Sequence, residues 1–166
     1  VNAVALKTIV IGWWGPYTPE DVRDSDLEKG LYFLGGRRKY ERQEQIQYFG
    51  ITEGSYRNRL NRWHHAMGEI TKNPTAWLGQ IEYPRRFTRR HLELAEGCLI
   101  YFWGPNLNHK KLVTPPEPVC LISRWLRPDG GARKNRLAIY RELPDVVWWD
   151  DEYWRTGNLK PPFPDY

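Results

Sequence analysis

Apolar and polar positions change period several times along the chain, and each change predicts an element. Ala5 to Trp14 is rich in Val and Ile and predicts a first strand. Thr18-Pro19-Glu20-Asp21 reads as a helix start, with Thr18 as N-cap, Pro19 in the first helical position and acids in the first turn. Gly30 follows closely and keeps that helix short. Gly30 to Leu34 and Gln45 to Thr52 predict two further strands, joined by the polar, basic segment GGRRKYERQEQ as an antiparallel hairpin with a long loop. Ser55 then caps a helix whose buried stripe is Tyr56, Leu60, Trp63 and Met67. Asn73-Pro74 breaks the chain, Ala76 to Tyr83 predicts another strand, and Pro84 stops it. Thr88 caps the second main helix, with Leu92, Ala95, Leu99 and Phe102 as its apolar stripe and Gly104-Pro105 as its end.

Beyond the linker-like Pro115-Pro116-Glu117-Pro118, Val119 to Leu126 and Arg136 to Arg141 predict a hairpin, and the tail from Pro144 predicts irregular structure. The expected fold is α+β: a small central antiparallel sheet flanked by helices, with a C-terminal β-hairpin appendage. Residues 1–110 form the expected main domain, and residues 111–166 an extension packed on it.

Composition adds a partner class. Lys and Arg outnumber Asp and Glu by 25 to 20, and the pI is about 9.2, which favours a polyanion. The basic residues cluster at Arg37-Arg38-Lys39, from Arg57 to Arg62, and from Arg85 to Arg90. The only cysteines, Cys98 and Cys120, form no CxxC pair, so zinc of the common spacing is not expected, and two thiols in a reducing cytosol are. The first residues lack a basic n-region and a long apolar run, and nothing nears the roughly 18 apolar residues of a membrane span. The expectation is a cytoplasmic protein without a membrane partner.

Three separated pieces carry candidate chemistry: Gly30-Leu31-Tyr32, Tyr48-Phe49-Gly50, and Glu96-Gly97-Cys98-Leu99-Ile100 followed by Pro105 and Asn108. The last is the pattern E-x-x-L-I-x-x-x-x-P-x-x-N. Between them lies Arg59-Leu60. In this order the pieces resemble the GIY-YIG nuclease superfamily, over roughly residues 28–110. The Glu96 helix is similar to that of the excision-repair endonucleases, and restriction and homing endonucleases share the superfamily.

The resemblance implies an endonuclease that hydrolyses DNA phosphodiester bonds. Glu96 would hold one divalent cation, Mg²⁺ or Mn²⁺, which keeps most of its waters and so needs few protein ligands. Arg59 would brace a phosphate oxygen, and Tyr32 and Tyr48 would orient or activate water, their hydroxyls pushed down in pKa by Arg and metal. Asn108 would position the helix or Glu96 by hydrogen bonding. Arg57, Arg85, Arg86, Arg89 and Arg90 are the candidate DNA contacts, the last four around an interleaved Phe87. The extension would serve a homodimer or a protein partner. Three departures stand out: a long Tyr32–Tyr48 spacing, Ile51 where many members carry a polar or basic residue such as Lys, and Trp63 where some carry His, with His64 and His65 just behind. A catalytically inactive nucleic-acid-binding module of the same kind and a Trp-rich protein-interaction domain are the alternatives.

Overall fold

The computed structural model describes residues 6–61, 64–132 and 143–159. Its elements are β1 (Lys7–Tyr17), α1 (Pro19–Arg23), β2 (Glu28–Arg38), β3 (Gln45–Ser55), α2 (Tyr56–Arg59), α3 (His65–Glu69), β4 (Ile70–Tyr83), α4 (Arg89–Trp103), β5 (Val119–Leu126), β6 (Val146–Trp149) and β7 (Trp154–Gly157). Short-range chemistry sets several of these boundaries. Thr18 forms a full capping box with Asp21 around Pro19, and Gly104 ends α4 in the left-handed conformation, its N–H donating to Ile100 O.

The strands form one seven-stranded sheet in the order β3-β2-β4-β1-β5-β6-β7. The fold is α+β, but the sheet is larger than the small antiparallel one expected, and it is mixed. β1 pairs antiparallel with β4 on one side and parallel with β5 on the other, in register from Lys7↔Val119 to Trp14↔Leu126. A parallel pair needs a long crossover, and the intervening chain supplies it, ending in α4. The C-terminal strands therefore extend the main sheet rather than hang from it. The partner of β5 is β6, within the tail expected to be irregular, and β6 pairs in turn with β7. The expected hairpin arm from Arg136 to Arg141 lies outside the described residues.

The helix expected from Ser55 onward is also different. Ser55 caps it as anticipated, but it stops at Arg59, and His64 caps a second short helix by accepting from Ala66 N. A side chain that starts a new helix breaks the old register, so Tyr56, Leu60 and Ala66 become the buried positions here. Trp63 lies outside the described residues.

Both faces of the sheet are covered. On one, α4 packs Leu92 and Leu99 against Ile9, Ile11, Phe33 and Trp77. On the other, α1 to α3 pack Val22, Tyr56, Leu60 and Ala66 against Tyr32 and Leu78. Much of the Trp content belongs to this core. Trp13, Phe33, Trp77 and Trp125 meet at centroid separations between 4.9 and 6.1 Å. Their polar edges are served where it matters: Trp13 Nε1 donates to Ser123 Oγ at 3.0 Å and Trp125 Nε1 to Asp145 Oδ1 at 2.9 Å. Gly79 sits under Trp13, whose ring lies 2.6 Å from where a Cβ would be. Cys98 and Cys120 are both free thiols. Among the described residues no helix is long and apolar enough to cross a membrane.

The outer edge of β3 is closed by the segment after α4. Leu107 N donates to Gln47 O at 3.0 Å, and the Asn108 carboxamide bonds both main-chain groups of Phe49: Oδ1 accepts from the N–H and Nδ2 donates to the carbonyl, each at 2.9 Å. Asn108→Ala strands two buried main-chain groups, each costing about 1–3 kcal/mol. Urea unfolding is expected to show a loss of roughly 2–6 kcal/mol, with Asn108→Asp, which keeps the acceptor, falling in between.

Candidate active site

Tyr32 on β2 and Tyr48 on β3 lie on the same face of the hairpin. Tyr32 is opposite Gly50 and Tyr48 is opposite Leu34, so the two rings are diagonal neighbours, stacked at 6.0 Å. The glycines of the two signature tripeptides have steric reasons. A Cβ on Gly50 would collide with the Tyr32 ring and hydroxyl, and one on Gly30 would collide with Gly79 O and the Tyr56 hydroxyl.

The two tyrosines differ in depth. Tyr32 is fully buried, whereas Tyr48 is part-exposed and lines a cleft of about 440 Å³ at the β3 edge. Five segments build that cleft, α3 among them through His65. β3 contributes Tyr48 and Ile51, and α2 contributes Arg59. α4 presents the stripe Arg89, Glu93, Glu96 and Ile100, which recurs at helical spacing. The chain after Asn108 adds His109, Lys110 and Lys111. Of the expected catalytic residues, Tyr48, Arg59, Glu96 and Asn108 thus share one cleft, and Tyr32 stands directly behind Tyr48. Asn108, buried in the cleft wall, bonds the Phe49 main chain rather than Glu96, so it positions a backbone.

Hydrogen bonds tie the groups together. Arg59 Nε donates to the Tyr32 hydroxyl at 3.3 Å, and His64 Nε2 lies 2.9 Å from the same oxygen. The Tyr48 ring stacks on that of Tyr32 from the cleft side. Arg59 lowers both tyrosines, as expected of it, but burial outweighs it. Burial, followed by the neighbouring Tyr48, raises Tyr32 despite the Arg59 hydrogen bond; burial, followed by the Glu96 carboxylate, raises Tyr48 despite Arg59. Both enter as phenols. His64 is moved the other way, down to about 4, by burial and then by the neighbouring His65 and Arg59.

Glu96 is mostly enclosed, and its Oε1 accepts from Lys111 Nζ at 2.6 Å. The carboxylate therefore already carries a cation, borne on a long, part-exposed side chain. Among the described residues, no group of three His, Cys, Asp or Glu converges as a metal cage. One carboxylate beside a phenol suits a hard divalent ion that keeps most of its water, with Lys111 swinging aside, and does not suit a closed zinc site.

The expected DNA contacts are divided. Arg89 lines the cleft but is bridged to Glu53 and Glu93. Arg90, one residue on and so turned about a quarter of the helix away, pairs with Glu117, and Arg57 pairs with Asp26. Arg85 and Arg86 are exposed and outside the cleft lining. The basic residues that do line the cleft beside Arg59 include His65, His109, Lys110 and Lys111, none of them in the expected set. A signal was present in the run His109-Lys110-Lys111 directly behind Asn108.

A scan of protein-family models, a search of curated proteins and a search of solved structures each found no match to this chain.

His64 gives the site a pH signature. Its folded pKa is about 4 against an ordinary 6.5, so the unfolded chain takes up the proton first. The stability it contributes is whole above about pH 6.5 and declines as the pH falls toward about 4. Urea unfolding at about pH 7 and about pH 5 is expected to show a larger drop for the wild type than for His64→Asn, which keeps a capping oxygen and cannot titrate.

Proposed function

We propose that this protein is a metal-dependent DNA endonuclease with a catalytic region of the GIY-YIG kind, formed by the β2–β3 hairpin, β4, α2, α3 and α4. One observation carries the reading. Tyr48, Arg59 and Glu96 come from three separate segments, were singled out by motif and order alone, and line one cleft together with Lys110, Lys111 and two histidines. A cleft that gathers cations around one carboxylate suits a phosphodiester, because the cations draw in the phosphate and the carboxylate retains the metal.

The geometry is compatible with the following roles. Glu96 would hold Mg²⁺ or Mn²⁺, which when bound would supply positive charge against the charge that develops on the phosphate. Arg59 spends its Nε on Tyr32, so its terminal nitrogens are the donors that face a non-bridging oxygen. Tyr48, held from behind by Tyr32, orients the attacking water as a hydrogen-bonding phenol. Its raised pKa keeps it protonated, so it orients the water rather than taking its proton, and a divalent ion at Glu96 would offset one of the causes that raise it. His109 and Lys110 neutralise neighbouring phosphates. Asn108 keeps the end of α4 and the following basic run against β3.

The Lys111–Glu96 pair favours a second reading, a nucleic-acid-binding module of the same architecture without catalysis, in which the ammonium permanently satisfies the carboxylate. Supercoiled, linear, branched and single-stranded DNA incubated with Mg²⁺ or Mn²⁺ separate the two. The wild type is expected to cut at least one of them, and Glu96→Gln to cut it at least about 10³-fold more slowly, the scale of losing a main electrostatic element. Intact DNA in every case supports the binding module, and equal cutting by both proteins removes Glu96 from the mechanism.

A calorimetric titration tests the metal site without turnover. Lys111→Met removes the competing cation and is expected to bind Mn²⁺ several-fold more tightly than wild type, while Glu96→Gln loses the binding.

A further inference from the structure

Three imidazoles form a near-parallel row beside Tyr48. His64 and His65 lie 4.9 Å apart with their planes at 17°, and His65 and His109 follow at 6.1 Å and 29°. The row begins inside the protein and ends in solvent: His64 is buried, whereas His65 and His109 are exposed. Its inner end is fixed. The His64 ring is bonded at both nitrogens, to the Tyr32 hydroxyl at 2.9 Å and to the Ala66 N–H at 3.2 Å. The Tyr48 ring meets His64 and His65 in T-shaped contacts at 5.1 and 5.2 Å. Its outer end is open. Among the described residues, His109 has His65 as its one ring contact.

An exposed side chain ordinarily samples several rotamers, and ordering it on binding costs free energy. Here contacts to fixed rings hold His65, and His65 in turn offers its neighbour a surface to lie on, so flat faces are set before anything binds. Both exposed rings line the same cleft as Tyr48, Arg59 and Glu96.

We infer that His65 and His109 form a stacking platform for an unpaired nucleobase, which seats a single-stranded or otherwise unstacked nucleotide of DNA beside the phosphate site. The platform rests on the reading of the cleft as a nucleic-acid site, which the nuclease and the binding module share.

The chemistry selects an unpaired base. Inside a duplex both faces of a base are covered by its neighbours, so a protein ring reaches a face only where the base is unpaired or turned out. The cleft, at about 440 Å³, lies toward the small end of ligand-sized pockets, which suits one nucleotide. Arg59, Lys110 and Lys111 line it as well and take flanking phosphates. Ring faces and cations are then divided as a single strand divides its bases from its backbone. The edge of His109 keeps its nitrogens for phosphate while its face meets the base. The favoured DNA is single-stranded, flapped or branched, with an unstacked nucleotide next to the phosphate that the cleft holds.

A comparison of two strands tests this without turnover. One is a short single-stranded oligonucleotide, the other the same sugar–phosphate backbone without bases, and both are titrated in EDTA and followed by fluorescence anisotropy. Wild type is expected to bind the base-bearing strand about 5- to 100-fold more tightly. The double variant His65→Ala, His109→Ala is expected to lose most of that preference, and His65→Phe, His109→Phe, which keeps the faces and drops the nitrogens, to regain it. Because both residues are exposed, thermal unfolding near that of wild type is expected for both variants, and the Phe pair keeps the test sharp if the Ala pair loosens the fold. Equal binding of the two strands by wild type overturns the proposal. So does a preference that survives in the Ala pair, or a loss of affinity for both strands alike in the Ala and Phe pairs, which is the pattern of nitrogens that serve phosphate alone. If a duplex binds and neither single strand does, the nucleic-acid reading stands and the platform is overturned. If no DNA of any form binds, that reading fails and the platform falls with it. A preference that follows the rings, in a protein that cuts nothing with Mg²⁺ or Mn²⁺, keeps the platform and removes the nuclease.

Discussion

Every candidate group is placed by the way the free edge of β3 is satisfied. An edge strand presents main-chain donors and acceptors that water or another strand must take up. Here Leu107 and the Asn108 carboxamide take them up, as a strand would, over Gln47 and Phe49. That latch lies between the end of α4 and the basic run at Lys110-Lys111. Once it is made, α4 must cross above β3 with Glu96 toward the edge, and Lys111 must return over Glu96. The helices on the opposite face bring Arg59 and His64 to the same edge from the other side. The cleft is thus the seam where two layers and a connecting segment meet.

Burial decides the chemistry available along that seam. Tyr32 is deep enough that ionisation is costly, and its two polar partners, His64 and Arg59, serve it as a neutral hydrogen-bonding group. Tyr48 lies nearer the cleft and feels the Glu96 carboxylate, so its protonation state is tied to whatever cation Glu96 holds. Lys111 already provides one such cation. In the proposed nuclease, exchange of a tethered ammonium for a hydrated divalent ion is therefore the step on which the rest of the site's electrostatics turns.

Local signals in the sequence were read well because their physics is local. Thr18, Ser55, Thr88 and Gly104 mark helix ends by hydrogen bonds or backbone conformations spanning a few residues. The hairpin of Gly30–Leu34 with Gln45–Thr52 was legible from alternation and an intervening polar loop, and β5 matched its expected bounds of Val119 to Leu126. The stripe Tyr56, Leu60, Trp63, Met67 misled because its period was helical while the chain turned between Leu60 and His64, where a side-chain cap competed with helix continuation. The tail misled because its strands are short and aromatic, and their strand character comes from pairing with β5.

By itself, the sequence determined which residue types were available for chemistry and in what order they arrive: a tyrosine two residues after a glycine, a second tyrosine two residues before one, an arginine, a helical glutamate, and an asparagine in fixed register behind it. It also determined the α+β class and a basic surface. Tertiary structure alone decided that β1 sits between β4 and β5, that Tyr48 rather than Tyr32 lines the cleft, that Asn108 serves the Phe49 backbone, and that His109, Lys110 and Lys111 complete the wall. The reason is sequence separation. Strand order, depth of burial and the partner of a long cationic side chain depend on groups dozens of residues away, and no periodicity or spacing within one segment encodes where that distant partner stands.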